Sequence, residues 1–184
     1  MSIERGPIVV FGIGNVLLRD DGVGVHVVRE LERRAAHGDA LLPPHTQLVD
    51  GGTLGLDLLS LIAGARAVLL VVAAFLGGAP GDVTVLRDDA LRARPGGARA
   101  VLPAGIDDLL AAARVADLLP KAVSMVGVEP CEIAAGLDLT AEVEAALPAA
   151  AAAAIGEMWH LDHEAVTRPP THRGLGHVVA GSAA

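Results

Sequence analysis

Two adjacent carboxylates, Asp20 and Asp21, stand in a glycine-rich loop just ahead of a predicted helix. The helix dipole stabilises negative charge at this position, and carboxylate oxygens are suitable ligands for cations. Gly22 and Gly24 permit the unusual backbone angles that a tight loop of this kind needs. A structural explanation competes with the chemical one, because an Asp at a helix start often caps the helix. The two roles are compatible on neighbouring residues.

The same loop opens with Gly12-Ile13-Gly14, which is the beginning of a dinucleotide-binding pattern. Leu17 stands where the pattern requires its third glycine, and no acidic residue ends a second strand about 20 positions further on. The sequence therefore argues against a dinucleotide site.

A second loop, Asp50-Gly51-Gly52-Thr53, again places an acid, two glycines and a hydroxyl between a predicted strand and a predicted helix. Successive backbone N–H groups in such a turn can form a concave nest that binds a peptide or an anion. A tight turn with Thr53 as a helix cap is the alternative that the sequence leaves open.

Short apolar runs alternate along the chain with segments of helical periodicity, which is the order expected for a parallel sheet covered by helices. We predict strands at 8–11, 46–50, 67–73, 82–86 and 122–128, with helices between them and a last helix over 140–159 that Pro148 divides. The predicted fold class is α/β, a three-layer α/β/α sandwich around a mostly parallel twisted sheet. Such sheets bind ligands in the loops after the carboxyl ends of their strands, where both glycine-rich loops fall.

Composition narrows the possible partners. The 184 residues are 52% hydrophobic and carry a net charge of −8, which argues against a nucleic-acid partner. No apolar run approaches the roughly 20 residues that cross a bilayer, so no membrane partner is expected. The chain has a single cysteine, Cys131, which we expect to be a packing residue. Because one cysteine cannot form an internal disulfide and no signal peptide is recognised, we expect a cytoplasmic protein. We expect one domain over residues 1–160 and a flexible C-terminal tail at 161–184.

Four blocks of sequence resemble the hydrogenase maturation endopeptidases, in matching order and at matching separations: GIGNVLLRDDGVGVHVVREL, VDGGTLGLDLL, GGAPGDV and VGVEP. The resemblance runs from about Ile8 to Leu147. It implies an α/β/α sandwich and an aspartic-type-like endopeptidase, a hydrolase that removes a short C-terminal peptide from the [NiFe]-hydrogenase large-subunit precursor once nickel has been inserted. The resemblance thus implies that this protein activates another enzyme.

The resemblance also implies three metal-binding side chains, the first of which maps onto Asp21 as the catalytic and nickel-contacting residue. Val72 and Leu102 occupy the other two positions, and neither side chain can coordinate a cation. We therefore expect no tightly bound cofactor and recognition of the nickel that the precursor carries. The turn formed by Asp50, Gly51, Gly52 and Thr53 is the expected peptide-binding element.

Two alternatives follow from the substituted ligand positions. The C-terminal region could supply a metal site if it folded back over the first loop, since it contains His160, Asp162, His163, Glu164, His172 and His177. Polar tail histidines are more often solvated. The second alternative is a non-catalytic relative that acts as a hydrogenase-assembly binding or scaffold protein.

Overall fold

The computed structural model describes residues 6–87, 91, 106–120 and 122–167. Leu102, His172 and His177 lie outside these residues, so the predictions that concern them are not addressed. Five strands form one sheet in the order β2-β1-β3-β5-β4. The strands are β1 (Ile8–Ile13), β2 (Thr46–Gly52), β3 (Ala67–Ala73), β4 (Val83–Arg87) and β5 (Ala122–Val128).

The predicted sheet is confirmed, including the edge position of β4. Strands β2, β1, β3 and β5 are parallel, whereas β4 pairs with β5 in the antiparallel direction. Every residue of β1, β3 and β5 is buried. This agrees with their continuous apolar sequences, since an interior strand of a parallel sheet is covered on both faces.

Helices cover both faces and complete the α/β sandwich. One face packs against α1 (Val23–His37) and α4 (Ala141–Thr167), and the other against the short α2 (Leu59–Ile62) and α3 (Ile106–Val115). Alternate residues of each interior strand enter the two resulting core layers, as Leu69 and Leu70 do. No helix within the described residues combines the length and the apolar character that a membrane span requires.

Helix α4 differs from the prediction in two ways. Pro148 lies inside the helix rather than dividing it, and the helix continues to Thr167, past the predicted start of the tail at residue 161. Its 27 residues extend about 40 Å. The last turns are fixed by Asp162, whose carboxylate pairs with Arg66, while Arg66 also donates to the carbonyl of Gly6. Because residues 6 and 66 precede β1 and β3, α4 ends at the amino edge of the sheet.

The second helix does not begin next to Thr53. A 3₁₀ turn (Gly55–Leu58) precedes α2, and neither segment has a side-chain cap, so Thr53 is not the helix cap that the sequence suggested. Thr53 is exposed in the turn itself.

Close packing of α1 on the sheet generates a test with a matched control. A Cβ on Gly24 would collide with the carbonyl oxygen of Val71 and with the backbone of Ile13. We expect Gly24→Ala to lower the free energy of unfolding by about 2 kcal/mol or more, measured by urea denaturation.

Gly156 is the control, because it also lies in a helix but nothing approaches its added Cβ within 4 Å. Gly156→Ala should raise the free energy of unfolding by about 0.5–1 kcal/mol through helix propensity. Equal effects of the two substitutions would contradict the described packing of α1 against β3.

Candidate functional site

The loop after β1, residues 14–22, is closed by its own hydrogen bonds and presents Asp21 partly exposed. The backbone N–H of Asn15 donates to the Asp21 carboxylate at 2.7 Å, and the N–H of Leu17 donates to the side-chain oxygen of Asn15 at 2.9 Å. Gly14 has φ +140°, and a Cβ there would collide with the carbonyl oxygen of Asp21. Only glycine therefore lets the loop close over Asp21.

Asp20 has the opposite environment from its neighbour, because its side chain is fully buried. Its carboxylate accepts hydrogen bonds from the backbone N–H groups of Cys131, Glu132 and Thr140 and from the Thr140 hydroxyl, at 2.7–2.9 Å. These four donors all belong to the segment that joins β5 to α4. Asp20 thus fastens the loop after β1 to the loop after β5.

The charge of Asp20 is maintained by these donors. Burial alone would raise the pKa of the carboxyl group, but the hydrogen bonds from Thr140, Glu132 and Cys131 outweigh it, and the pKa is lowered from its ordinary value. Asp20 is therefore ionised in the folded protein at neutral pH. The predicted capping role is wrong for both acids, because the N-cap of α1 is Gly22 and no side chain caps this helix.

A second set of contacts joins the same two loops. The N–H of Arg19 donates to the carbonyl of Gly136, and the N–H of Gly136 donates to the carbonyl of Leu17, both at 3.0 Å. The Arg19 guanidinium also lies 3.4 Å from the Glu132 carboxylate. Arg19 adopts a positive φ of 48°, which is uncommon for a residue with a side chain and which these contacts maintain.

The loop after β2 lies beside the loop after β1, as predicted. Because β1 and β2 are parallel neighbours, Asp21 and the turn at Gly51, Gly52 and Thr53 share the carboxyl edge of the sheet. The N–H of Gly14 donates to the carbonyl of Gly52 at 2.9 Å, which joins the two loops directly. Gly52 has φ +45°, as a turn of this kind requires.

The Asp50 carboxylate is already paired. It accepts a hydrogen bond at 3.0 Å from the guanidinium of Arg29 on α1, and both side chains are about half exposed. An exposed pair of this kind is weak in energy, so it leaves Asp50 accessible to a partner.

Glu129 is a structural residue of this edge that the sequence interpretation missed. Its side chain is buried, and one carboxylate oxygen accepts hydrogen bonds from the N–H groups of Leu76 at 2.7 Å and Gly78 at 3.2 Å. It thereby holds the loop after β3 against the end of β5. The available signal was a charged residue directly after a continuously apolar strand in Val126-Gly127-Val128-Glu129.

Val72 is fully buried within the core layer that α2 and α3 cover. Its side chain offers no ligand atom, and within the described residues no three His, Cys, Asp or Glu side chains are grouped closely enough to hold a metal ion. Because an open protein site for a transition metal ordinarily uses three ligands, the donor set that the described residues place at this edge does not fit a resident metal.

His160 and His163 do not complete a site with Asp21. Helix α4 begins near Asp20 and ends at the opposite edge of the sheet, so His160 and His163 are near the amino edge. His160 lies 3.8 Å from Glu164 on its own helix. The hypothesis that residues 160–164 fold back over the first loop is therefore wrong. The expectation that Cys131 is a packing residue is also wrong, because Cys131 is exposed.

The α/β sandwich agrees with what comparison with known proteins finds. The sequence profile of the hydrogenase maturation protease family (HycI) matches residues 25–157. The hydrogenase 2 maturation protease of Escherichia coli K12 is 33% identical over 167 residues, covering 90% of this chain and 98% of that protein. The hydrogenase expression/formation protein HupD of Rhizobium leguminosarum bv. viciae is 31% identical over 150 residues, covering 80% and 72%.

Solved structures agree. The hydrogenase maturating endopeptidase HybD from E. coli superposes with a TM-score of 0.71 at 31% identity, covering 84% of this chain and 93% of that one. The chain therefore belongs to the hydrogenase maturation protease family.

The burial of Asp20 generates a stability prediction. Asp20→Asn should lower the free energy of unfolding by about 3 kcal/mol at pH 7, because an amide has one acceptor oxygen for four converging donors. Asp21→Asn, one residue away and partly exposed, should change it by less than about 1 kcal/mol. Chemical denaturation measures both values.

The pH dependence checks the physical reason. A carboxyl group with a lowered pKa in the folded state stabilises the protein fully above its unfolded pKa, about 3.9, and this contribution is lost as the pH falls through the folded value. The stability difference between wild type and Asp20→Asn should therefore shrink below about pH 4. A difference that stays constant down to pH 2 would show that the charge of Asp20 is not the cause.

Proposed function

We propose that this protein is a peptidase that removes a C-terminal peptide from a [NiFe]-hydrogenase large-subunit precursor after nickel has been inserted. The observation that carries the proposal is the placement of Asp21 and the Gly51-Gly52-Thr53 turn in hydrogen-bonded loops at one edge of the sheet. Membership of the protease family supports the reaction class. The proposal places the reaction in the cytoplasm.

In the proposed reaction, Asp21 contacts the nickel centre of the bound precursor. The Asp50–Thr53 turn in the neighbouring loop holds the peptide through its backbone groups, because extended peptides pair well with exposed backbone donors and acceptors. Hydrolysis consumes one water molecule, breaks one C–N bond and leaves a new C-terminal carboxylate on the precursor. In this proposal the polarising cation is the nickel of the substrate, since the described residues group no three ligand side chains that could hold a metal of their own.

A cleavage assay tests this proposal. The protein is incubated with nickel-loaded precursor, and the mass of the precursor is measured before and after. Wild type should remove the C-terminal peptide, and Asp21→Ala should lower the rate by about 100-fold or more, a loss typical for a group that stabilises a transition state.

Asp39 provides the matched control, because it is an exposed Asp just past the far end of α1. Asp39→Ala should process the precursor at the wild-type rate, and nickel-free precursor should remain uncut. A wild-type protein that binds the loaded precursor but leaves its mass unchanged would refute the peptidase and support the scaffold alternative, which the burial of Val72 favours.

Metal binding by the protein alone gives a separate prediction. Calorimetric titration with nickel or zinc should show wild type binding no more tightly than Asp21→Ala, because one carboxylate cannot hold a transition metal selectively. Tight stoichiometric binding that is lost in Asp21→Ala would mean that other ligands complete a resident site.

A further inference from the structure

The carboxyl edge of the sheet carries a set of exposed apolar side chains. They occur in four successive loops: after β1, Leu17; after β2, Leu54 and Leu56; after β3, Phe75; and after β5, Ile133 and Leu137. Four of the six are more than half exposed, at 60% for Leu17, 53% for Leu54, 53% for Leu56 and 68% for Leu137. We refer to these six side chains as the apolar rim.

Hydrogen bonds join the loops of the apolar rim into one surface. Gly14 donates to Gly52 between the first two loops, and Gly136 donates to Leu17 between the loops after β1 and β5. Glu129 accepts from Leu76 and so joins the loop after β3 to the end of β5. The loops therefore form one connected surface at the edge of the sheet that carries Asp21. Single exposed apolar residues are ordinary on a protein surface, but a contiguous group marks an interaction site.

The charges at this edge define the partner further. Two basic side chains at this edge are paired within the described residues, Arg19 with Glu132 and Arg29 with Asp50. Three acids, Asp21, Asp57 and Asp138, have no cationic partner among the described residues. Among the described residues, the unpaired charge around the apolar rim is therefore negative, and a complementary partner presents apolar together with basic side chains.

We propose that the apolar rim binds a segment of the hydrogenase precursor that combines apolar and basic side chains. This segment is separate from the one that contains the bond to be cut. This inference rests on the proposed function and names the docking surface that brings the precursor to Asp21. A second copy of this chain is disfavoured as the occupant, because two apolar rims face to face would bring their unpaired acids together in a protein of net charge −8.

The test compares two double variants of similar composition. Leu17→Asn with Leu137→Asn removes apolar surface from the apolar rim, whereas Leu41→Asn with Val115→Asn removes it from the amino edge of the sheet, where the side chains are 83% and 91% exposed. Both variants should keep the wild-type Tm, because all four side chains project into solvent. For processing of nickel-loaded precursor, we expect the rim variant to raise KM at least 10-fold with kcat within about 3-fold, and the control variant to change neither.

Direct binding separates this inference from the proposed reaction. Affinity for the nickel-loaded precursor is measured in an Asp21→Ala background, in which cleavage is slow. In that background the rim substitutions should lower the affinity at least 10-fold, and raising the salt concentration should weaken binding by the protein with an intact apolar rim. If the precursor is cut normally while the rim variant keeps wild-type KM and affinity, the inference is wrong and the proposed function stands. If the precursor is bound through the apolar rim but not cut, the proposed reaction is wrong and the inference stands.

Self-association is the remaining outcome. Sedimentation of the wild-type protein should show a monomer at micromolar concentration. A dimer that dissociates in the rim variant but not in the control variant would overturn the proposal and assign the apolar rim to a second copy of this chain.

Discussion

The buried carboxylate of Asp20 is the interaction on which the candidate site depends. It brings the loop after β1 and the segment before α4 together through four hydrogen bonds from three residues that are 111–120 positions away in sequence. An ionised carboxylate inside a protein is stable only when its lone pairs are occupied, and loop N–H groups away from water need acceptors equally. The Asp20 carboxylate and the donors of the β5–α4 segment therefore satisfy each other, and separating the two loops would leave both without hydrogen-bond partners.

Asp21 follows Asp20 directly, so its position is fixed by that contact. The backbone at residue 20 cannot rotate without breaking hydrogen bonds to the β5–α4 segment, and the N–H of Asn15 holds the Asp21 carboxylate from the other side. Glu129 applies the same chemistry to the neighbouring loop, where a buried carboxylate again accepts backbone N–H groups. Charge-assisted hydrogen bonds of this type are stronger than neutral ones. Two buried acids thus make rigid loops that contain little regular secondary structure.

Local sequence patterns were sufficient to predict the strands of the sheet, because a strand that is buried on both faces has a continuously apolar sequence. Strand β3 occupies Ala67–Ala73, the range predicted from its continuous apolar sequence, and the alternation in β4 identified an edge. The same reasoning placed Asp21 and the Gly51-Gly52-Thr53 turn at one edge, since both follow parallel strands. These features depend on periodicity over a few residues.

Features decided by distant partners could not be read from the sequence. Asp20 looked like a helix cap because its donors lie beyond residue 130, and nothing local distinguishes a cap from a long-range acceptor. The end of α4 depends on the contact between Asp162 and Arg66, which are 96 positions apart, and so the sequence did not indicate that residues 161–167 are helical. Pro148 is tolerated within the alanine-rich α4, where the flanking turns and the packing of Ala150 and Ala151 on the core outweigh one missing N–H donor.

A single partly exposed carboxylate has a consequence for how the proposed reaction would select its substrate. One ligand cannot extract nickel from solution, but it can contact a nickel ion that other ligands already hold. Such a contact contributes one charge-assisted interaction, on the order of 1.5–3 kcal/mol, which corresponds to roughly a 10- to 100-fold preference for loaded over empty precursor. The greater part of the binding energy must then come from polypeptide contacts that both forms of the precursor share. Under the proposed function, Asp21 therefore distinguishes the loaded state, while the surrounding loops supply the affinity.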